Sequence, residues 1–387
     1  DYWVERTKLL EDKLSDRLHE ELTKSFIDKR ASILARGLKQ DITFNTKIIE
    51  DDKVIINNQF IGKLKGLKLE LDLKVDTLDT DIKSLKKAAR QSIGPELNKR
   101  IKQIIDTSSL EIKDDFKIYW EKFPIAKLLP GKDYLDPELS LIIDDIIEIA
   151  EQKKLQEYLE KWLKEKINFI LKSLIDLRSL KESNSSIRAL AYQLYENNGV
   201  LKRDKVSEYL KKLGQDERKI LRNLGVKFGR YHVFLFKLLK PEAVSLRILL
   251  WKNYHQKSFN LKPPTFGLNF LENKDFKNKN FMLLCGFENF DKYFVRIDIL
   301  ERLFVQIINT NSDSKAKIKL VPEMLNLLGC SKNNFIKLIQ KMNYKTSEEN
   351  NEFYFKYAPT KQKIKKFINK NQKTDNPFNI LKNINFK

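Results

Sequence analysis

Leucines recur at Leu10, Leu14, Leu18 and Leu22, followed by Phe26, Ile33 and Leu34, along the stretch WVERTKLLEDKLSDRLHEELTKSFIDKRASILARGL (3–38). Apolar positions every three to four residues, with charge on the other faces, predict one long helix over 1–40 that stops near Gly37. The stripe is expected to be core, because that is the commonest use of such a face.

The period then falls to two. IEDDKVIINNQFIGKLKG (49–66) aligns with IKDDFKIYWEKFPIAKLLPG (112–131) if one residue is inserted at Pro124 and another before Gly131. Both copies place Asp-Asp at a turn between alternating runs and then Phe, Ile, Lys and Leu in the same order. Each is followed by Leu-Asp (78–79, 135–136) and a helical stretch. Residues 41–180 therefore read as two β-hairpin-plus-helix units, a duplication that speaks of architecture and not of chemistry.

Helical spacing returns over 181–254. RDKVSEYLKKLGQDERKILRNLGVKFGRYHVFLFKLLKP (203–241) predicts a helix capped by Asp204, a break at Gly214-Gln215, a second helix, a stop at Gly225 and a strand. The pair with its following strand admits a helix-turn-helix module whose second helix exposes Arg218, Lys219 and Arg222 beside Asp216 and Glu217, but a helix pair packed inside the protein is the favoured reading. Lys227, Arg230 and His232 crowd a glycine-bearing turn beside aromatics. Such a turn suits backbone approach to a phosphate and suits a buried bend equally. Residues 255–280, with Pro263-Pro264 and many Lys and Asn, read as a linker.

Over 281–360 the order is an apolar-periodic helix (294–308), a short strand in AKIKL, and then VPEMLNLLGCSKNNFIKLIQKMNYKTSEENNEFYFKYAP (321–359). Pro322 suits a first helical position, Gly329 a left-handed helix end and Ser331 an N-cap. The next helix groups Phe335, Leu338, Ile339 and Met342 on one face, with Asn333, Lys337, Gln340 and Lys341 on the other. NYK, a polar turn TSEENN and EFYFKY then form a hairpin, with Phe353 and Phe355 opposed to Tyr354 and Lys356. This is the order of a winged helix, whose second helix and wing meet nucleic acid through amides and ammonium groups. Asn333, Lys337, Gln340, Lys341, Lys345 and Lys356 are the expected contacts, with Lys227 and Arg230 added from the upstream turn. Glu348, Glu349 and Glu352 in the wing count against tight phosphate contact, and winged helices also dock proteins. The expected fold class is α+β, mainly α and multidomain, ending in a winged-helix-like domain and a basic tail (361–387) of eight lysines and one aspartate.

Composition changes this picture only in degree. The formal charge of +21 favours polyanionic partners, although 59 of the 74 basic residues are Lys in an Asn- and Ile-rich chain, as A/T-biased coding would give. Cys285 and Cys330 are too far apart for a metal or disulfide motif, and His19, His232 and His255 form no ligand spacing. No apolar run reaches membrane-spanning length, so a cytoplasmic, membrane-free protein is expected. The chain starts inside a helix without Met and reads as cut from something longer.

KLLEDKLSDRLHEELTKSFIDKR, FIGKLKGL, LGQDERKILRNLGVKFGRYHVFLFKLLKP, VRIDILERL and LLGCS occur in that order up to about residue 345. Together they resemble the C-terminal half of bacterial DEAD/DEAH-box helicases related to the RNA helicase of the mitochondrial degradosome. The resemblance implies a parent ATP-dependent helicase whose motor domains precede this chain, with nucleic acid, RNA ahead of DNA, as partner. ATP and Mg²⁺ belong to that motor, and no cofactor is expected here. Gly62-Lys63-Leu64 and Gly131-Lys132-Asp133 lack the Ser or Thr of a phosphate loop, and Asp216-Glu217 stands inside a helix, so no ATPase residue carries over. Arg230 occupies a turn position where relatives would carry a small residue. The alternative is a non-enzymatic docking module that recruits a partner such as a nuclease.

Overall fold

The computed structural model describes residues 2–39, 46–49, 52–56, 59–71, 79–107, 109–145, 147–180, 185–256, 261–273, 278–310, 317–349 and 352–358. The chain is mixed α+β with small antiparallel sheets. It divides into two compact units, one of residues 1–267 and 277–287, the other of 268–276 and 288–387.

The first unit opens with α1 (Tyr2–Lys39). Its stripe departs from expectation: Leu10, Leu14, Leu18 and Leu22 are 50–68% exposed. Periodicity shows that a helix face is apolar, but not that its own chain supplies the cover. The side chains of Phe26, Ile33 and Leu34 lie outside the described residues.

Two four-stranded meanders follow. The first is β1 (Thr46–Ile49), β2 (Lys53–Ile56), β3 (Gln59–Lys65) and β4 (Lys68–Leu71), leading to α2 (Asp79–Thr107). The second is β5 (Leu110–Ile112), β6 (Lys117–Trp120), β7 (Phe123–Asp133) and β8 (Asp136–Leu141), leading to α3 (Ile149–Ile170). Strand order is sequential in both sheets. The register slips between Val54 and Ile55 in one and between Ile118 and Tyr119 in the other. Val54 pairs with Gly62, and Ile118 with Ala126. Phe60 therefore corresponds to Pro124, which moves the added residue of the second copy out of the strand. It sits at the preceding turn, where Phe116 (φ 62°) holds the left-handed place of Asp52 (φ 56°).

One continuous core joins both meanders to the helices after them, with Leu64, Leu97, Ile101, Ile118, Leu128, Leu155 and Leu159 nearly solvent-free. Each such side chain contributes about 1.5–3 kcal/mol on leaving water. Arg100 ties α2 to the first sheet by donating to Gly66 O at 3.1 Å and pairing with Asp52 at 2.6 Å.

Beyond α4 (Lys172–Arg178), an order of helix, strand, one or two further helices and hairpin occurs three times. It first runs α5 (Ser185–Glu196), β9 (Val200–Lys202), α6 (Ser207–Lys212), α7 (Gln215–Asn223), β10 (Val226–Phe228), β11 (His232–Leu235). It then runs α8 (Pro241–His255), β12 (Phe270–Glu272), α9 (Lys279–Leu284), β13 (Phe287–Phe290), β14 (Tyr293–Arg296). Last come α10 (Ile297–Asn309), β15 (Ile318–Lys319), α11 (Pro322–Leu328), α12 (Lys332–Lys341), β16 (Tyr344–Glu349), β17 (Glu352–Tyr357). In each three-stranded sheet the second hairpin strand is central and pairs with the earlier, isolated strand, as in the orders β10-β11-β9, β12-β14-β13 and β15-β17-β16.

The helix before each hairpin ends in the same way. Gly225 (φ 93°), Gly286 (φ 87°) and Asn343 (φ 67°) take left-handed conformations between helix and first hairpin strand. Each donates its backbone N–H to the carbonyl three residues earlier, on Arg222, Leu283 and Gln340. Such a cap reverses the chain at the smallest cost when the residue is Gly, with Asn next.

Several expectations change accordingly. The span 255–280 is not simply a linker, because β12 lies in it and pairs Leu271 with Phe294 of β14. Asp204 caps nothing and sits inside a short 3₁₀ turn (Arg203–Val206). The boundary expected at 281 differs from the division observed, since α9 belongs with the first unit. The tail 361–387 lies outside the described residues. Among the described residues, no helix is long and apolar enough to cross a membrane.

Candidate nucleic-acid interface

Six of the eight expected contact residues belong to the second unit, on α12 and the hairpin after it. Pro322 opens α11, and Gly329 ends it with φ 68°. Ser331 Oγ then accepts from the Asn334 N–H at 3.3 Å and starts α12. Phe335, Leu338, Ile339 and Met342 are all buried. The Phe335 ring meets Phe355 edge-on with centroids 5.9 Å apart, and Tyr344 meets Phe355 at 5.7 Å. The apolar face of α12 is thus spent on the inner face of the sheet. Asn333, Lys337, Gln340 and Lys341 are exposed.

Strand alternation puts the hairpin lysines elsewhere. Tyr344, Thr346, Phe353 and Phe355 point toward α12, so Lys345 and Lys356 point to the outer face, where they are direct cross-strand partners. The expected surface therefore consists of two sets, one on the helix and one on the far side of the sheet. Polar contacts also join helix and hairpin: Gln340 Nε2 donates to Thr346 Oγ1 at 3.0 Å, and Lys332 pairs with Glu348 at 3.6 Å. The turn is also shorter than expected. Thr346–Glu349 are strand, and the ladder runs out to Glu349 opposite Glu352.

The three hairpin acids have partners outside the expected set. Lys317 pairs with Glu349 and Lys319 with Glu352, both lysines reaching from the β15 edge, while Lys332 takes Glu348. The Lys319 ammonium, assisted by the Tyr354 hydroxyl at 2.8 Å, holds the Glu352 carboxyl below its usual range and is itself raised by that contact. Sequence spacing could not show this, because Lys317 and Lys319 lie more than thirty residues before their partners; the signal available was their alternation in AKIKL. Lys341 is less free than expected, pairing with Asp291 at 2.9 Å, although both side chains stay largely in water and the pair is weak. Lys337, Lys345 and Lys356 have no ion-pair partner among the described residues.

Lys227 and Arg230 lie on and beside the β10–β11 hairpin of the first unit, both exposed. The Lys227 ammonium sits 4.0 Å from the centre of the Phe236 ring. His232 is buried, so the bent-core reading describes that residue better than a phosphate contact does. Among the described residues, no group of three His, Cys, Asp or Glu side chains could hold a metal ion.

No family model, no curated protein and no solved structure matches the chain.

Proposed function

We propose that the second unit ends in a winged helix that binds the backbone of a nucleic acid, serving as an accessory region of an ATP-dependent helicase. The observation that carries this reading is the matching of all three wing acids by lysines outside the expected set. With Glu349 and Glu352 paired to the lysines of the β15 edge and Glu348 to Lys332 of α12, Lys337, Lys345 and Lys356 keep their charge for phosphates. The helicase context rests on the resemblance of the segments quoted above, and it makes RNA the first strand to try. The motor chemistry belongs to domains outside this chain, so ATP turnover is not expected from it.

The test is binding of labelled RNA and DNA oligonucleotides to the chain across a salt series. Affinity should fall steeply with salt, and Lys337→Glu combined with Lys345→Glu should weaken binding at least 10-fold, since each change removes one phosphate contact and adds a repulsion. Unchanged affinity in that double variant would remove the proposal.

A second reading, a docking surface for a protein such as a nuclease, is favoured by Val305 and Ile308, which expose apolar side chains on α10. A Val305→Lys change that abolishes capture of a degradosome-type nuclease while leaving strand affinity intact would support it.

A further inference from the structure

The first unit holds a cleft of about 760 Å³ where α5, the ends of α4 and β7, and the last turn of α8 come together. α5 directs Arg188, Tyr192 and Tyr195 into it, at spacings of four and three that share one helix face. α8 contributes Trp251, Tyr254 and His255 in the same manner. We propose that this cleft holds an unstacked base of a single-stranded polynucleotide, with the adjoining phosphate on Arg188 and Lys132.

Two observations favour that occupant. The first is aromatic faces left in water: Tyr192 is 64% exposed and Tyr254 41%. Every base has a π-face to offer such rings, and a base within a duplex cannot reach them. On α8 the aromatics are already in contact, with the Trp251 and His255 rings 4.5 Å apart and tilted by 31°, and Tyr254 edge-on to His255 at 5.3 Å.

The second is charge. Asp133 accepts from the Tyr195 hydroxyl and pairs with Arg178 at 3.1 Å, so its negative charge is already met. Arg188 and Lys132 are exposed and have no ion-pair partner among the described residues. Glu196 is the acid left over, and a carboxylate suits the exocyclic amine of a base rather than its phosphate.

The inference rests on the nucleic-acid reading above but places binding in the other unit, so the two can fail separately. A fluorescent oligocytidylate and a matched duplex would be titrated against the full chain and against Tyr192→Ala, Tyr192→Phe, Arg188→Ala and the Lys337→Glu/Lys345→Glu variant. The wild type would also be photo-crosslinked to a 4-thiouridine strand. Expected are a loss of roughly 10-fold for single strands in Tyr192→Ala with retention in Tyr192→Phe, a salt slope reduced by about one in Arg188→Ala, and a crosslink within 188–195. Cleft variants that bind like wild type, with crosslinks elsewhere, overturn the cleft proposal, and the interface on α12 stands if its own variant loses affinity. Loss in the cleft variants alone overturns the α12 interface and supports the cleft. No oligonucleotide binding at all overturns both.

Discussion

Lys345 and Lys356 stand directly opposite one another across the β16–β17 ladder, each between residues of alternating burial and neither with an ion-pair partner among the described residues. Like charges in direct cross-strand register cost stability, by as much as opposite charges would contribute. Changing Lys345 to Glu should therefore separate two readouts. Thermal unfolding is expected to rise slightly, reflecting about 0.2–1 kcal/mol from a Lys–Glu pair. Strand affinity is expected to fall, with a salt slope smaller by about one. Parallel loss of both would show that the lysine pair is structural.

Lys319 and Glu352 carry a pH consequence. The Glu352 carboxyl titrates below its ordinary 4.5 because of Lys319 and then Tyr354. A depressed folded-state value contributes stability above the unfolded pKa and loses it as pH falls through the folded one. The contribution is present at neutral pH and disappears in acid below about 4.5, and it is small because both side chains are exposed. Lys319→Ala should return the Glu352 titration toward 4.5 by carboxyl-detected NMR. The same variant should weaken strand binding by restoring a free acid to the β16–β17 hairpin.

The three left-handed helix ends rank their own substitutions. An alanine Cβ at Gly286 would lie 2.8 Å from Leu239 Cδ2, whereas at Gly225 nothing comes nearer than 3.9 Å. Gly225→Ala is expected to cost about 1–2 kcal/mol from backbone conformation alone. Gly286→Ala should cost more, because the conformational cost is joined by a displaced leucine. Asn343→Gly is expected to gain a few tenths of a kcal/mol. Urea denaturation of the three variants checks the order.

Arg247 is fully buried on α8, donating to Asn198 O at 2.6 Å and Leu238 O at 2.7 Å. The acceptor at Asn198 belongs to a left-handed pair, Asn198 (φ 55°) and Gly199 (φ 79°), that turns α5 into β9. Arg247→Ala should cost about 2–5 kcal/mol, from a cavity and two carbonyls stripped of donors. Differential scanning calorimetry gives the measurement, and a loss below 1 kcal/mol would mean that water replaces the guanidinium.

Regular spacing made the long elements legible. The α12 faces, the Pro322, Gly329 and Ser331 positions and the alternation of EFYFKY all follow from local chemistry. What escaped was short or distant. β12 is three residues long, too few to show alternation, and it hid in a Lys- and Asn-rich span. The helix–hairpin order was legible in the last copy and, as the lesser alternative, over 204–241; the middle copy escaped because only the left-handed cap recurs in sequence, twice as Gly and once as Asn. Arg188, Tyr192 and Tyr195 were readable as one helix face, but not as sharing a cleft with Tyr254, which lies 59 residues beyond the last of them. The α1 stripe misled in the opposite direction, since an apolar face was visible and its exposure was not.

The matched register of the two meanders bears on how the chain finds its structure. Strands offset by sixty-four positions present nearly interchangeable edges while both sheets are still forming, so exchange between copies competes with native pairing. What breaks the tie is chemistry unique to each copy: Arg100 clasping Gly66 and Asp52 in the first, and Pro124 refusing a ladder hydrogen bond in the second. Substituting Pro124 with Phe would erase one of these identity tags. Slower refolding and hairpin-swapped dimers are the price of such sameness.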